Sequence, residues 1–149
     1  MAEWTETYRG AVLASEYDPE SHMNTPAYVS RFDQATWFLL ASIGITPAAM
    51  KARGRRVAIV RQSFQYLAEL RGGQLLRVES GFVAVGGKHL RFQHRMFDFV
   101  TGAMVATSDC TAVQASLESG HAVDLPDADR AAAESHLVTA NVAAATGLS

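Results

Sequence analysis

Between Thr25 and Gly44 the chain carries one helical face: Tyr28, Phe32, Ala35, Thr36, Leu39, Leu40 and Ile43 recur at offsets 0, 4, 7, 8, 11, 12 and 15. That is the spacing of side chains stacked on one side of a 3.6-residue helix. Thr25 suits the N-cap, Pro26 the first helical position and Gly44 the exit. Each has a backbone reason: a side-chain acceptor for an orphan N–H, a missing N–H where none is needed, and freedom to turn out of the helix. Trp37, Phe38 and Ala41 widen the apolar face, as in a helix covered on more than one side. Ser30, Arg31, Asp33 and Gln34 are expected largely on the solvent side.

From Val57 the period changes to two and stays there. Val57–Tyr66 reads as a strand, Gly72-Gly73 as a turn, Leu75–Val85 as a long strand and Gly86-Gly87 as a hairpin connection. Over Lys88–Asp98, Leu90, Phe92 and Met96 share one face while His89, Arg91, Gln93 and Arg95 share the other. Thr101-Gly102 turns into a last strand, Ala103–Leu117. Before the helix, Tyr8–Tyr17 reads as a short strand stopped by Asp18-Pro19, and Lys51–Arg56 as a basic, mobile linker. The tail predicts a helix over about 127–145 with an acidic first turn, Asp127-Ala128-Asp129. Strand, long helix and four antiparallel strands in that order make an α+β domain, a central helix wrapped by a five-stranded antiparallel sheet. One helix leaves strand edges open, and edge pairing with a second copy predicts a homodimer or a dimer of dimers.

The 149 residues fit a single domain over 1–149. A net charge of −2 argues against a nucleic-acid binder, which carries a basic excess or stripe. The longest apolar stretch, Trp37–Ile45, is too short to span a bilayer. Met1–Gly10 has no apolar run of the signal-peptide kind. One cysteine supports neither an internal disulfide nor a multi-cysteine zinc site, so a cytoplasmic location without membrane partners is expected.

The chemistry concentrates in Asp18-Pro19-Glu20-Ser21-His22-Met23-Asn24-Thr25-Pro26, directly before the helix. A helix N-terminus offers unpaired N–H groups and the positive end of a macrodipole. Those donors suit an oxyanion, while Asp18 or His22 activates or delivers a nucleophile. The same residues also suit a plain polar turn.

Asp18-x3-His22-Met23-Asn24-x3-Tyr28-x3-Phe32-Asp33-x2-Thr36 resembles the Asp-x-x-Gly-His-Val/Met-Asn-Asn-x-x-Tyr pattern of hotdog-fold acyl-CoA thioesterases, the relatives of 4-hydroxybenzoyl-CoA thioesterase. The likeness covers about residues 8–117, with Ser21 in place of the usual Gly and Thr25 in place of a second Asn. It implies a hotdog fold, an acyl-CoA substrate, and Asp18 as nucleophile or general base, with His22 and Asn24 polarising the thioester carbonyl or orienting water. It implies no metal and no cofactor beyond the coenzyme A of the substrate. The site is expected at a dimer interface, with Thr25 at the helix start and Gln62, Ser63 or His94 supplied by the second copy. Lys51, Arg53, Arg55 and Arg56, or Arg61, Lys88, Arg91 and Arg95, are candidate contacts to coenzyme A phosphates, unranked among themselves, with Arg55, Arg56 and Arg61 taken as candidate substrate-binding residues. A hotdog hydratase or dehydratase, or a non-catalytic acyl-thioester or small-molecule binding module, are the alternatives.

Elsewhere, His94 on an apolar strand face reads as a satisfied core or interface histidine, and Cys110 as a small buried hydrophobe. His89, His121 and His136 lack partners at ligand spacing. Asp33 and Glu69 read as surface charges.

Overall fold

The computed structural model describes residues 2–139. Its elements run β1 (Thr5–Ala11), α1 (Thr25–Ala41), α2 (Pro47–Ala52), β2 (Arg55–Tyr66), β3 (Leu75–Val85), β4 (His89–Asp98), β5 (Met104–Ser116), β6 (Ala122–Val123) and α3 (Asp127–Ser135). All strand pairs are antiparallel, in the order β1-β3-β4-β5-β2, with the two-residue β6 added beside the end of β5. Five long strands therefore wrap α1 as the period-two pattern predicts, and β1 and β2 form the edges.

The seven apolar-face residues from Tyr28 to Ile43 are all buried, six of them on α1 and Ile43 just beyond its end. They divide the core into two. The first half of the helix packs Tyr28, Phe32 and Ala35 against Leu70, Val78, Met96 and Val105. The second packs Leu39, Leu40 and Ile43 with Phe82, Phe92, Cys110 and Leu125. His94 is fully buried between β3 and α1, its Nε2 2.8 Å from Thr36 Oγ1 and its Nδ1 2.5 Å from Ser80 Oγ. Thr36 donates its own hydrogen to Phe32 O, so its oxygen accepts from His94 Nε2–H, and Ser80 donates to Nδ1. Burial away from water pushes the imidazole down to about 3, which keeps it neutral. The satisfied-core reading of His94 holds, and its complete burial removes it from any site shared with a second copy.

Four expectations need correction. Strand β1 ends at Ala11 rather than Tyr17, because Ala14–Glu16 forms a 3₁₀ turn. That turn brings Glu16 to Arg31, which the helical pattern placed toward solvent. Arg31 is buried instead, donating to Glu16 Oε1 at 2.5 Å and Ala11 O at 3.1 Å, with its guanidinium over the Tyr8 ring. The basic linker is ordered: Lys51 and Ala52 belong to α2, capped by Thr46 Oγ1, and Arg55-Arg56 open β2. Finally, α3 stops at Ser135, and Leu137 forms a parallel bridge to Phe82 while Val138 N–H donates to Phe82 O at 2.8 Å. Two apolar side chains there gain more by lying on the sheet than by extending a helix into solvent; residues 140–145 of the expected helix lie outside the described residues.

Candidate active site

The loop between β1 and α1 is built around Asp18. Its Oδ1 accepts from the backbone N–H groups of Glu20 and His22, both at 2.9 Å, and its own N–H donates to His22 O at 2.7 Å. This turn requires a left-handed residue, and Ser21 supplies it at φ 67°. The position is the one where the resembled pattern has Gly, and Ser21 takes the glycine-type backbone at a cost of about 1–2 kcal/mol. With Oδ1 held by two donors, Oδ2 is the oxygen left to act.

Asn24, not Thr25, is the N-cap of α1. Its Oδ1 accepts from Ala27 N–H at 2.9 Å, and Thr25 is the first helical residue, with Pro26 second. Asn ranks above Thr as a cap, and Asn24 has the extended backbone of an N-cap, at φ −72° and ψ 156°. The shift by one residue changes the supply of donors. Pro26 has no N–H, and Ala27 N–H is satisfied by the cap. Among the described residues Thr25 N–H meets no protein acceptor, so it is the donor that α1 leaves for a ligand.

Asp18, Met23, Asn24, Thr25, Pro26 and Tyr28 line one cavity of about 450 Å³ together with Tyr66, Ala68 and Glu69 from the segment that leaves β2. His22 lies behind it. Its Nδ1 is 3.0 Å from Glu69 Oε2, 3.8 Å from Glu20 Oε2 and 4.0 Å from Asp18 Oδ2. These approaches lie off the N–H axis, and neither ring nitrogen makes a hydrogen bond among the described residues. Tyr28 is fixed by accepting Leu70 N–H on its hydroxyl at 3.1 Å. Burial raises its phenol above the ordinary tyrosine value, which keeps the hydroxyl protonated and available as a donor.

Asp18, Asn24 and Thr25 are thus brought together, with His22 in contact behind them. Gln62, Ser63, Arg55, Arg56 and Arg61 are not at this cavity within one chain. Gln62 donates to Cys110 Sγ at 3.5 Å, and Ser63 is exposed on β2. Arg55 donates to Gln114 Oε1 and Asp124 O, and Arg53 is paired with the buried Asp129. Arg56 and Arg61 are exposed. Glu69, Tyr28 and Tyr66 are cavity residues that the loop motif did not single out as site residues. Only Tyr28 carried a local signal, as part of the motif spacing; Glu69 and Tyr66 arrive through β2, more than forty residues along the chain.

Comparison with known proteins gives the family and the fold. A family model described as the thioesterase-like superfamily matches residues 12–137. The chain is similar to a betainyl-CoA thioesterase of Pseudomonas aeruginosa, 25% identical over 118 residues that cover 79% of this chain and 74% of the relative. It is also similar to an L-carnitine dehydrogenase/betainyl-CoA thioesterase of Agrobacterium fabrum, 29% identical over 111 residues. These cover 74% of this chain, which spans 22% of that longer relative. A Staphylococcus aureus protein solved in complex with CoA superposes with a TM-score of 0.84 at 14% identity, over 95% of this chain and 90% of its own, which shows the shared hotdog fold. No helix among the described residues is long and apolar enough to cross a membrane. From the match over residues 12–137, the chain belongs to the thioesterase-like superfamily, and thioester hydrolysis is the enzyme class that this membership carries.

Proposed function

We propose that the chain hydrolyses an acyl-CoA thioester to a carboxylic acid and free coenzyme A, with Asp18 as the acting group. The observation that carries this reading is the pairing of Asp18 with the open N–H of Thr25 on one cavity. The thioester carbonyl oxygen accepts from Thr25 N–H, so that charge developing on it meets the positive end of α1. Asp18 then works in one of two ways. As a base it takes a proton from water, whose oxygen attacks the carbonyl carbon; as a nucleophile its Oδ2 attacks directly and forms a mixed anhydride that water later opens. In both, the C–S bond breaks and the coenzyme A thiolate leaves to take up a proton. His22, its ring nitrogens buried behind the cavity and its Nδ1 4.0 Å from Asp18 Oδ2, acts on the reaction only through Asp18. The reaction as proposed calls on no metal or redox group.

The site is completed by a second copy. Among the described residues strand β2 pairs only with β5, and Ile59, Val60 and Tyr66 on it and Leu67 just after it are exposed. Pairing β2 with its copy would cover these residues and carry Gln62, Ser63, Arg56 and Arg61 of one chain toward the cavity of the other, the arginines toward the coenzyme A phosphates.

Asp18→Asn preserves the acceptor for Glu20 and His22 N–H while removing the acting charge. It is expected to lower kcat by about 10²- to 10⁴-fold, measured by thiol release from a panel of acyl-CoA esters that includes betainyl-CoA, the ester named for the relatives. Unchanged turnover in this variant would refute the mechanism, and a covalent acyl adduct trapped by mass spectrometry would select the nucleophilic route.

A further inference from the structure

Tyr28 carries a hydroxyl that the reaction proposed above leaves unused. It stands one turn into α1 from Thr25 and lines the same cavity. Helical side chains lean toward the N-terminus of their helix, so its ring is directed back toward the turn that carries Thr25 N–H. The residue is only 4% exposed. Its ring is held edge to face against Tyr66 with centroids 5.3 Å apart, and its hydroxyl oxygen accepts from Leu70 N–H at 3.1 Å. The hydroxyl hydrogen, by contrast, meets no acceptor among the described residues. Burying an O–H without an acceptor costs about 1–3 kcal/mol, so this one suits a partner that enters the cavity.

A thioester at this site brings few acceptors. The attacking water must keep a lone pair for the carbonyl carbon, and a donor on it would weaken the attack. The sulfur accepts poorly until the C–S bond is breaking. The carbonyl oxygen has two lone pairs, of which Thr25 N–H takes one. Charge also gathers there. As the nucleophile adds to carbon, the π pair of the carbonyl moves onto oxygen, and it returns when the C–S bond breaks and the thiolate leaves. A donor to that oxygen must keep its own proton throughout. Burial foremost, then the nearby Glu69, Tyr66 and Asp18 against the opposing Leu70 N–H, holds the Tyr28 phenol above its ordinary value, so the proton stays.

Resting on the thioesterase reading above, we propose that Tyr28 is a further catalytic residue, its O–H the second donor beside Thr25 N–H to the oxygen on which negative charge develops. One donor is the end of α1 and the other a side chain of its first turns.

The test uses the ester that the wild-type chain hydrolyses fastest and two unreactive analogues of it. In the ketone, CH2 replaces the sulfur and the carbonyl is kept; in the thioether, CH2 replaces the carbonyl and the sulfur is kept. Tyr28→Phe is expected to lower kcat/KM about 10²-fold. It should weaken binding of the ketone about fivefold, the range of one hydrogen bond, and leave binding of the thioether unchanged. Lost packing would weaken both analogues alike, so equal weakening or an unchanged kcat/KM overturns the proposal and leaves the thioesterase reading standing. Should Tyr28→Phe fail to fold because Leu70 N–H loses its acceptor, Tyr28→3-fluorotyrosine decides, since it keeps that acceptor and makes the O–H a stronger donor. The ratio of ketone to thioether affinity must then rise about twofold, a fraction of one hydrogen bond, and an unchanged ratio overturns the proposal. A wild-type chain that hydrolyses no acyl-CoA ester refutes the thioesterase reading itself, and this proposal with it.

Discussion

Thr25 shows how much one residue's backbone can decide. Its N–H is the donor left open where Pro26 has none and Asn24 has capped Ala27. Proline is well tolerated at the first helical position, and Asn24 is already extended at φ −72°, ψ 156°, the conformation that a following proline demands. Thr25→Pro is therefore expected to remove the donor while leaving α1 folded. The measurement is kcat beside thermal midpoint: activity should fall about 10²- to 10³-fold with little change in midpoint, and Thr25→Ala, which keeps the N–H, should remain active. At this scale the sequence was legible where contacts are local. Asp18, His22 and Asn24 lie within seven residues, and the cavity uses Asp18 and Asn24 directly. It was illegible where partners are remote: nothing near Glu69 announces His22, and nothing near Arg31 announces Glu16. Helical periodicity sends Arg31 outward, but the partly buried Glu16 carboxylate and a carbonyl draw it in.

Among the elements, α1 and the sheet are braced by the His94 network. Its imidazole is neutral in the folded chain, with its pKa lowered by burial to about 3, whereas the unfolded chain takes up a proton near the ordinary value of 6.5. The unfolded state thus binds the extra proton between these values, and stability is lost as pH falls below about 6.5. From pH 7 to pH 5 this group is expected to cost about 2 kcal/mol. Denaturant melts across that range should show the wild type losing this margin relative to His94→Gln; parallel curves would reject the assignment. A second contact joins β3 to the C-terminal segment. A Cβ on Gly81 would lie 2.5 Å from Val138 Cγ2, so Gly81→Ala is expected to displace residues 137–139 and destabilise the chain by about 1–3 kcal/mol, read as a lower thermal midpoint. Most elements were readable because periodicity reports burial directly: β3 spans Leu75–Val85 as expected, β4 starts one residue later than expected, and β5 is one residue shorter at each end. Helix α2 escaped because six residues are too few to show a period. The run after α3 escaped because its partner, Phe82, is remote in sequence.

At the scale of the whole molecule, the free edge of β2 is the feature with the widest reach. The exposed Ile59, Val60 and Tyr66 on it and Leu67 just after it are disfavoured on a solitary sheet edge. Light scattering is expected to give a particle of at least twice the chain mass, and a strict monomer would contradict a shared site. If a β2 strand completes the cavity of the opposite chain, each site draws on two polypeptides, and inactivity becomes a property that can be traded between them. A chain carrying Asp18→Asn and a chain inactivated on β2, for instance at Gln62, would each be silent alone. Refolded together at equal concentrations, half of the dimers would be mixed, and each mixed dimer would contain one wholly wild-type site. About a quarter of wild-type activity should return, so that two dead chains make a live enzyme.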